Sequence, residues 1–175
     1  MLHNELRFLE KIRPGDICAE IGVYEGEFSK CILKRNPLQL HLIDPWESIM
    51  NVALRLYAKP QCEMDKMYEF VCKLFENKKN VYLKRGYSEH VSKEYSDKFF
   101  DWVYIDANHS YKYVKQDLLL WYPKVKPGGW LCGDDYGKCE ELDFGVIPAV
   151  QEFVINNNLE KNITIQKNQY AIKVL

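Results

Sequence analysis

Two short stretches hold residue types that could do chemistry. "YIDANHSY" (104–111) runs an aromatic, apolar segment into Asp106 and, three positions on, His109; "LCGDDYG" (131–137) ends a second apolar run in the adjacent acids Asp134 and Asp135. Adjacent carboxylates repel, and if the two runs are neighbouring strands, three acids converge at their ends. Left alone, such a cluster is destabilising and one member takes up a proton. A hard divalent cation resolves the conflict: Mg²⁺ prefers oxygen ligands in octahedral geometry, and Mn²⁺ suits the same set. Asp106, Asp134 and Asp135 are therefore candidate metal ligands. The alternative is that one or two of them cap a following helix or accept backbone amides.

A third stretch, "EIGVYEG" (20–26), offers a turn rather than an acid cluster. Gly22 and Gly26, four apart, let the backbone bend sharply between a strand and a helix and let a ligand approach the helix start. Asp44, 24 residues after Glu20, ends the next strand and is placed to accept the hydroxyls of a ribose. The spacing is not G-x-G-x-x-G, and Glu20 and Glu25 would repel a pyrophosphate. An adenosyl group carrying a sulfonium and an ammonium would meet no such repulsion.

These residues need elements to hold them, and hydrophobic periodicity supplies an alternating series. An N-terminal helix over 1–13, with Leu6, Leu9 and Ile12 as its stripe, stops at Pro14-Gly15. Strands are expected at 16–21, 38–44, 80–86, 99–106 and 130–135, with helices between them, and Pro127-Gly128-Gly129 is read as a turn. A last helix (145–157) and two tightly joined strands, "NITIQK" and "QYAIKV", close the chain. Alternation of this kind implies an α/β fold: a Rossmann-like, doubly wound, mostly parallel seven-stranded sheet with helices on both faces. The C-terminal hairpin is expected to add an antiparallel strand at one edge. Asp106, Asp134 and Asp135 all fall at the carboxyl end of a strand, where such sheets bind ligands.

Composition narrows the partners. A chain of 175 residues fits one domain, and 24 basic against 25 acidic residues leave no field to hold a polyanion, so nucleic acid is not expected. The start mixes charge into its apolar residues unlike a signal peptide, and no window approaches a membrane span. A cytoplasmic location follows as an expectation. Six cysteines never form C-x-x-C, which favours free thiols over a zinc site.

Taken together, Glu20-x-Gly22-x-x-x-Gly26, Asp44, "YIDANHSY" and "KPGGWLCGDDY" resemble class I S-adenosylmethionine-dependent methyltransferases over about residues 14–155. The nearest likeness is to the small-molecule and sugar O-methyltransferases that require a divalent metal. Tyr24 stands where many of that family carry a third glycine. The resemblance implies cofactor contacts from Glu20, Gly22, Gly26, Asp44, Ser88 and Asp106, with the "GYS" turn (Gly86–Ser88) flanking the adenine. It also implies His109 as general base beside Asp106. The acceptor would be a sugar, glycan or other polyhydroxylated small molecule, with a catechol as the chemical alternative, and a homo-oligomer is compatible with so small a chain. Two segments, 45–79 and 136–145, are candidates for covering the acceptor. Two rival readings are an oxidoreductase using NAD or NADP through Tyr111-x-x-x-Lys115 and a non-catalytic adenosyl-binding module.

Overall fold

The computed structural model of the protein describes residues 8–48, 59–137 and 145–175. Strands β1 (Ile17–Ile21), β2 (Gln39–Asp44), β3 (Val81–Arg85), β4 (Phe100–Ile105) and β5 (Val125–Gly133) are mutually parallel in the order β3-β2-β1-β4-β5. The closing hairpin, β6 (Ile163–Gln166) and β7 (Gln169–Lys173), completes the sheet beyond β5. Its arrangement corrects one expectation. β7, the antiparallel strand, lies inside between β5 and β6, and β6 forms the edge. Tyr170, Ala171 and Ile172 of β7 are buried, whereas β6 carries exposed Thr164 and Gln166 and tolerates solvent.

Strand alternation sends side chains to two cores. Cys18, Leu40, Leu42, Trp102 and Tyr104 pack with Ile32 of α1 (Glu27–Leu33) and with Met64, Met67, Val71 and Phe75 of α2 (Gln61–Phe75). On the opposite face Ala19, Ile21, Val103, Ile105 and Leu131 meet α3 (Ser88–Val91), α4 (Tyr111–Trp121) and α5 (Val146–Asn156) through Val91, Leu118 and Val150. Near-continuous apolar strands covered on both sides are what a parallel sheet requires.

Three boundaries differ from the expected ones. Of the N-terminal helix, residues 1–7 lie outside the described residues, and the remainder forms one 3-10 turn, Leu9–Lys11, anchored by buried Phe8 and Ile12 on either side. The helix after His109 ends at Trp121, because Pro123 has no amide to continue it, and passes into a 3-10 turn, Tyr122–Lys124. Pro127-Gly128-Gly129 does not leave the sheet. It forms a bulge inside β5, where pairing with β4 jumps from Phe100–Val125 to Trp102–Trp130.

Of the segment 45–79, residues 49–58, which include Tyr57, lie outside the described residues. Trp46, Met64 and Met67 are buried, and Tyr68 packs on Trp46 with ring centroids 5.0 Å apart, so these side chains build core rather than a cover. Within 136–145, residues 138–144 are likewise outside the described part. No helix among the described residues is long and apolar enough to cross a membrane. The described cysteines, Cys18, Cys31, Cys62, Cys72 and Cys132, are free thiols.

Candidate active site

Backbone hydrogen bonds carry the sheet ladder one residue past the strand ends. Gly22 N donates to Ile43 O at 2.9 Å, Asp106 N to Ile21 O at 2.8 Å, Gly86 N to Asp44 O at 3.0 Å and Asp134 N to Ile105 O at 3.2 Å. The residues after β1, β3, β4 and β5 are thereby set in one row with the end of β2. Strand order reverses between β1 and β4, which opens the crevice where α/β sheets hold ligands.

Gly22 is required by packing at this point. At φ 92° it admits no other residue without strain, and an added Cβ would land on the carbonyl oxygen of Asp106. Gly26 (φ 74°) opens α1 against Phe75, whose ring a Cβ would meet at 3.1 Å. Between the glycines, Tyr24 takes φ 53°, the left-handed conformation that explains why glycine is common at this position in the resembling family. Two neighbours hold it there. Asp44 Oδ2 accepts the amides of Val23 (2.9 Å) and Tyr24 (3.0 Å), and Trp46 Nε1 donates to Tyr24 O at 2.9 Å.

Asp44 Oδ1 also accepts the amide of Trp46 at 2.7 Å, so this carboxylate uses three of its roughly four acceptor positions on the turn. Trp46, itself at φ 42° and fully buried, is a second brace. Glu20 is buried beneath the turn, where Ser29 Oγ donates to its Oε2 at 2.5 Å.

The acid cluster forms around the histidine. His109 Nε2 lies 3.5 Å from Asp106 Oδ1, and His109 Nδ1 lies 3.1 Å from Asp135 Oδ2. The imidazole thus stands between two carboxylates. One ligand atom from each of Asp106, His109 and Asp135 falls within 4.8 Å of the others. Burial pushes the His109 pKa down, but the hydrogen bond to Asp106 and the charges of Asp135, Asp106 and Asp134 outweigh it and leave the pKa raised. Asp134 stands outside the mutual set: its Oδ1 accepts the amide of Asp135 at 2.9 Å, the backbone-capping role foreseen for one of these acids.

The Asp106 and Asp135 carboxylates are hard oxygen donors of the kind that Mg²⁺ or Mn²⁺ accepts, and the imidazole lies beside them. Asp135 is itself at φ 57°, and the β6–β7 turn supports its loop, with Tyr136 N donating to Asn168 O at 2.6 Å. That support comes from a hairpin more than 30 residues downstream and carries no local signal.

Two further residues are placed by the structure. Ser88, at the start of α3, accepts from Trp121 Nε1 at 2.7 Å and donates to the Asp117 carboxylate. Asp117 went unremarked in the sequence, though its spacing from Val114, Leu118 and Trp121 puts an acid on the buried face of α4. Tyr111 and Lys115 follow β4, not β5, and both bond Glu152 of α5, Lys115 Nζ at 2.9 Å. They form a helix-to-helix contact rather than a dehydrogenase pair.

Comparison with known proteins agrees with this geometry. The sequence matches the methyltransferase domain family over residues 19–136. No curated protein matches it. Among solved structures it is similar to the O-methyltransferase NovP at 21% identity, with a TM-score of 0.67 over 95% of this chain and 76% of that one. It is also similar to a Staphylococcus aureus protein provisionally assigned as a caffeoyl-CoA O-methyltransferase (14% identity, TM-score 0.63, 99% and 85% covered). A third likeness is to the cofactor-bound Rv0187 from MTB (15%, 0.64, 99% and 81%). These likenesses speak for the fold; the family match spans most of the chain and includes the glycine turn, Asp44, Asp106, His109 and Asp135. The chain belongs to the methyltransferase domain family and is a class I S-adenosylmethionine-dependent methyltransferase.

Proposed function

We propose that the methyl group is delivered to a hydroxyl of a small, polyhydroxylated acceptor such as a sugar unit, with His109 as the general base. The observation that carries this reading is the imidazole held between Asp106 and Asp135, at 3.5 and 3.1 Å, beside the crevice between β1 and β4. An alcohol is a poor nucleophile until its proton has somewhere to go, and a positioned imidazole supplies that. The glycine turn, Glu20 and the remaining acceptor position of Asp44 would hold the methionine and ribose portions of the cofactor. The Gly86–Ser88 turn would flank the adenine.

Asp106 and Asp135, with Asp134 adding charge nearby, would hold a divalent cation. Bound there, Mg²⁺ or Mn²⁺ neutralises the acids and lowers the pKa of a coordinated hydroxyl. An ion there would offset the carboxylate charges that raise the His109 pKa, leaving burial to favour the neutral imidazole that a base needs. The remaining task of the chain is alignment, since an in-line displacement gains from holding nucleophile and methyl donor in register.

A methyl-transfer screen over monosaccharides, glycosides and catechols, run with and without EDTA, tests the reading. We expect turnover on a polyol that chelator abolishes and Mn²⁺ restores. His109→Ala should lower kcat by at least about a hundredfold while leaving the Kd for S-adenosylhomocysteine unchanged. Full activity in excess EDTA would remove the metal from the mechanism, and an active His109→Ala enzyme would remove the base.

A further inference from the structure

The hydroxyl of Ser88 is engaged on both sides, in a chain that runs from the Trp121 indole to Ser88 and on to the carboxylate of Asp117. Asp117 is 5% exposed and lies among the apolar residues of the α4 face. Burial pushes its pKa up to about 6, while the Ser88 hydrogen bond pulls it down and the charge of Glu89 raises it further. An asparagine of the same shape would accept the Ser88 bond without placing an ionisable group in the core, so stability alone does not explain the acid. Its location offers an explanation. Ser88 follows β3 in the Gly86–Ser88 turn, and Gly86 N is tied to Asp44 O at 3.0 Å, next to the glycine turn. α4 begins two residues after His109. One helix therefore links the turn beyond β3 to the loop that carries the proposed base.

We propose that Asp117 is the positioning residue for the adenine edge of the cofactor site, fixing the Gly86–Ser88 turn by orienting the Ser88 hydroxyl between itself and Trp121. The proposal rests on the reading that this turn flanks the adenine. A charged acceptor makes a stronger hydrogen bond than an amide and leaves the hydroxyl a single orientation. The titratable groups facing Asp117 are Glu89 of α3, which Gln116 Nε2 reaches at 2.5 Å, and Tyr170 of β7, whose pKa the Asp117 charge helps to raise.

The test is calorimetric binding of S-adenosylhomocysteine and of adenosine at pH 7.5 to the wild type and to Asp117→Asn, with Tm measured without ligand. Asp117→Asn is expected to hold or raise Tm while weakening both ligands by the same factor, about tenfold, the size of one lost charge-assisted bond. A purely structural role would lower Tm and leave the adenosine Kd where it was. An unchanged Kd, or a loss confined to S-adenosylhomocysteine, overturns the proposal. Should Asp117→Asn fail to fold, Trp121→Phe cuts the same chain at its other end and is judged by the same Kd criteria. A crystal of the wild type with S-adenosylhomocysteine separates the two levels. Adenine away from the Gly86–Ser88 turn overturns the reading and this proposal together, whereas adenine at the turn with an unchanged Asp117→Asn Kd overturns the proposal only.

Discussion

Tyr24 shows how single residues shape the cofactor turn. Its left-handed backbone is imposed from outside, by Asp44 on its amide and Trp46 on its carbonyl, while its ring stays partly exposed under Lys59 at 4.8 Å. A non-glycine residue in this conformation costs about 1–2 kcal/mol. Tyr24→Gly should therefore raise stability by about 1 kcal/mol after the entropy of the freer unfolded chain is counted, read as a higher midpoint in urea. Asp44→Ala should act in the opposite direction, because it frees three amides at once and leaves the Tyr24 strain without the bonds that offset it. A loss of about 2–3 kcal/mol is expected, and an Asp44→Ala protein of wild-type stability would show that the turn does not depend on this carboxylate.

At the scale of elements, the site exists because the ends of β1, β4 and β5 are brought close together. Gly22 is the tightest point: the chain leaving β1 passes directly against the Asp106 carbonyl leaving β4. Gly22→Ala must shift one strand end away from the other and also strain φ 92°. A destabilisation of about 3 kcal/mol or more is expected, with loss of S-adenosylhomocysteine binding even in the fraction that folds, as calorimetry would show. The bulge in β5 works at the same scale. It keeps Pro127 and both glycines in the sheet, and β5 ends at Gly133 so that Asp134 and Asp135 fall in the loop beside His109.

Across the whole molecule, two buried titratable groups oppose each other in acid. Burial, with a smaller push from Lys84, lowers the His41 pKa to about 4, and burial raises that of Asp117 to about 6. For His41 the native state binds fewer protons than the unfolded chain, so its contribution is present above about pH 6.5 and is lost as pH falls toward 4. For Asp117 the native state binds more protons, so its contribution is present below about pH 4 and is lost as pH rises through 6. Between pH 4 and 6 the two nearly cancel. Asp117→Asn removes one side of the balance. Its stability should fall by about 2 kcal/mol relative to wild type between pH 6 and pH 4, measured by denaturant titration at each pH. Parallel curves for the two proteins would show that Asp117 is not the group held protonated.

The order of strands and helices was legible in the sequence because apolar period and Gly/Pro punctuation are local properties of the chain. The placing of Asp106, His109 and Asp135 at strand ends was legible for the same reason. Partnership was not, since it depends on where distant segments meet. That His109 lies between Asp106 and Asp135, and that Asp44 serves the amides of Val23 and Tyr24, are set by sheet register and by a hairpin at Asn168. The antiparallel strand inside rather than at the edge, and Asp117 beneath Ser88, are likewise outcomes of packing. Spacing along a chain fixes which face a residue occupies; only the folded contacts fix what it meets there.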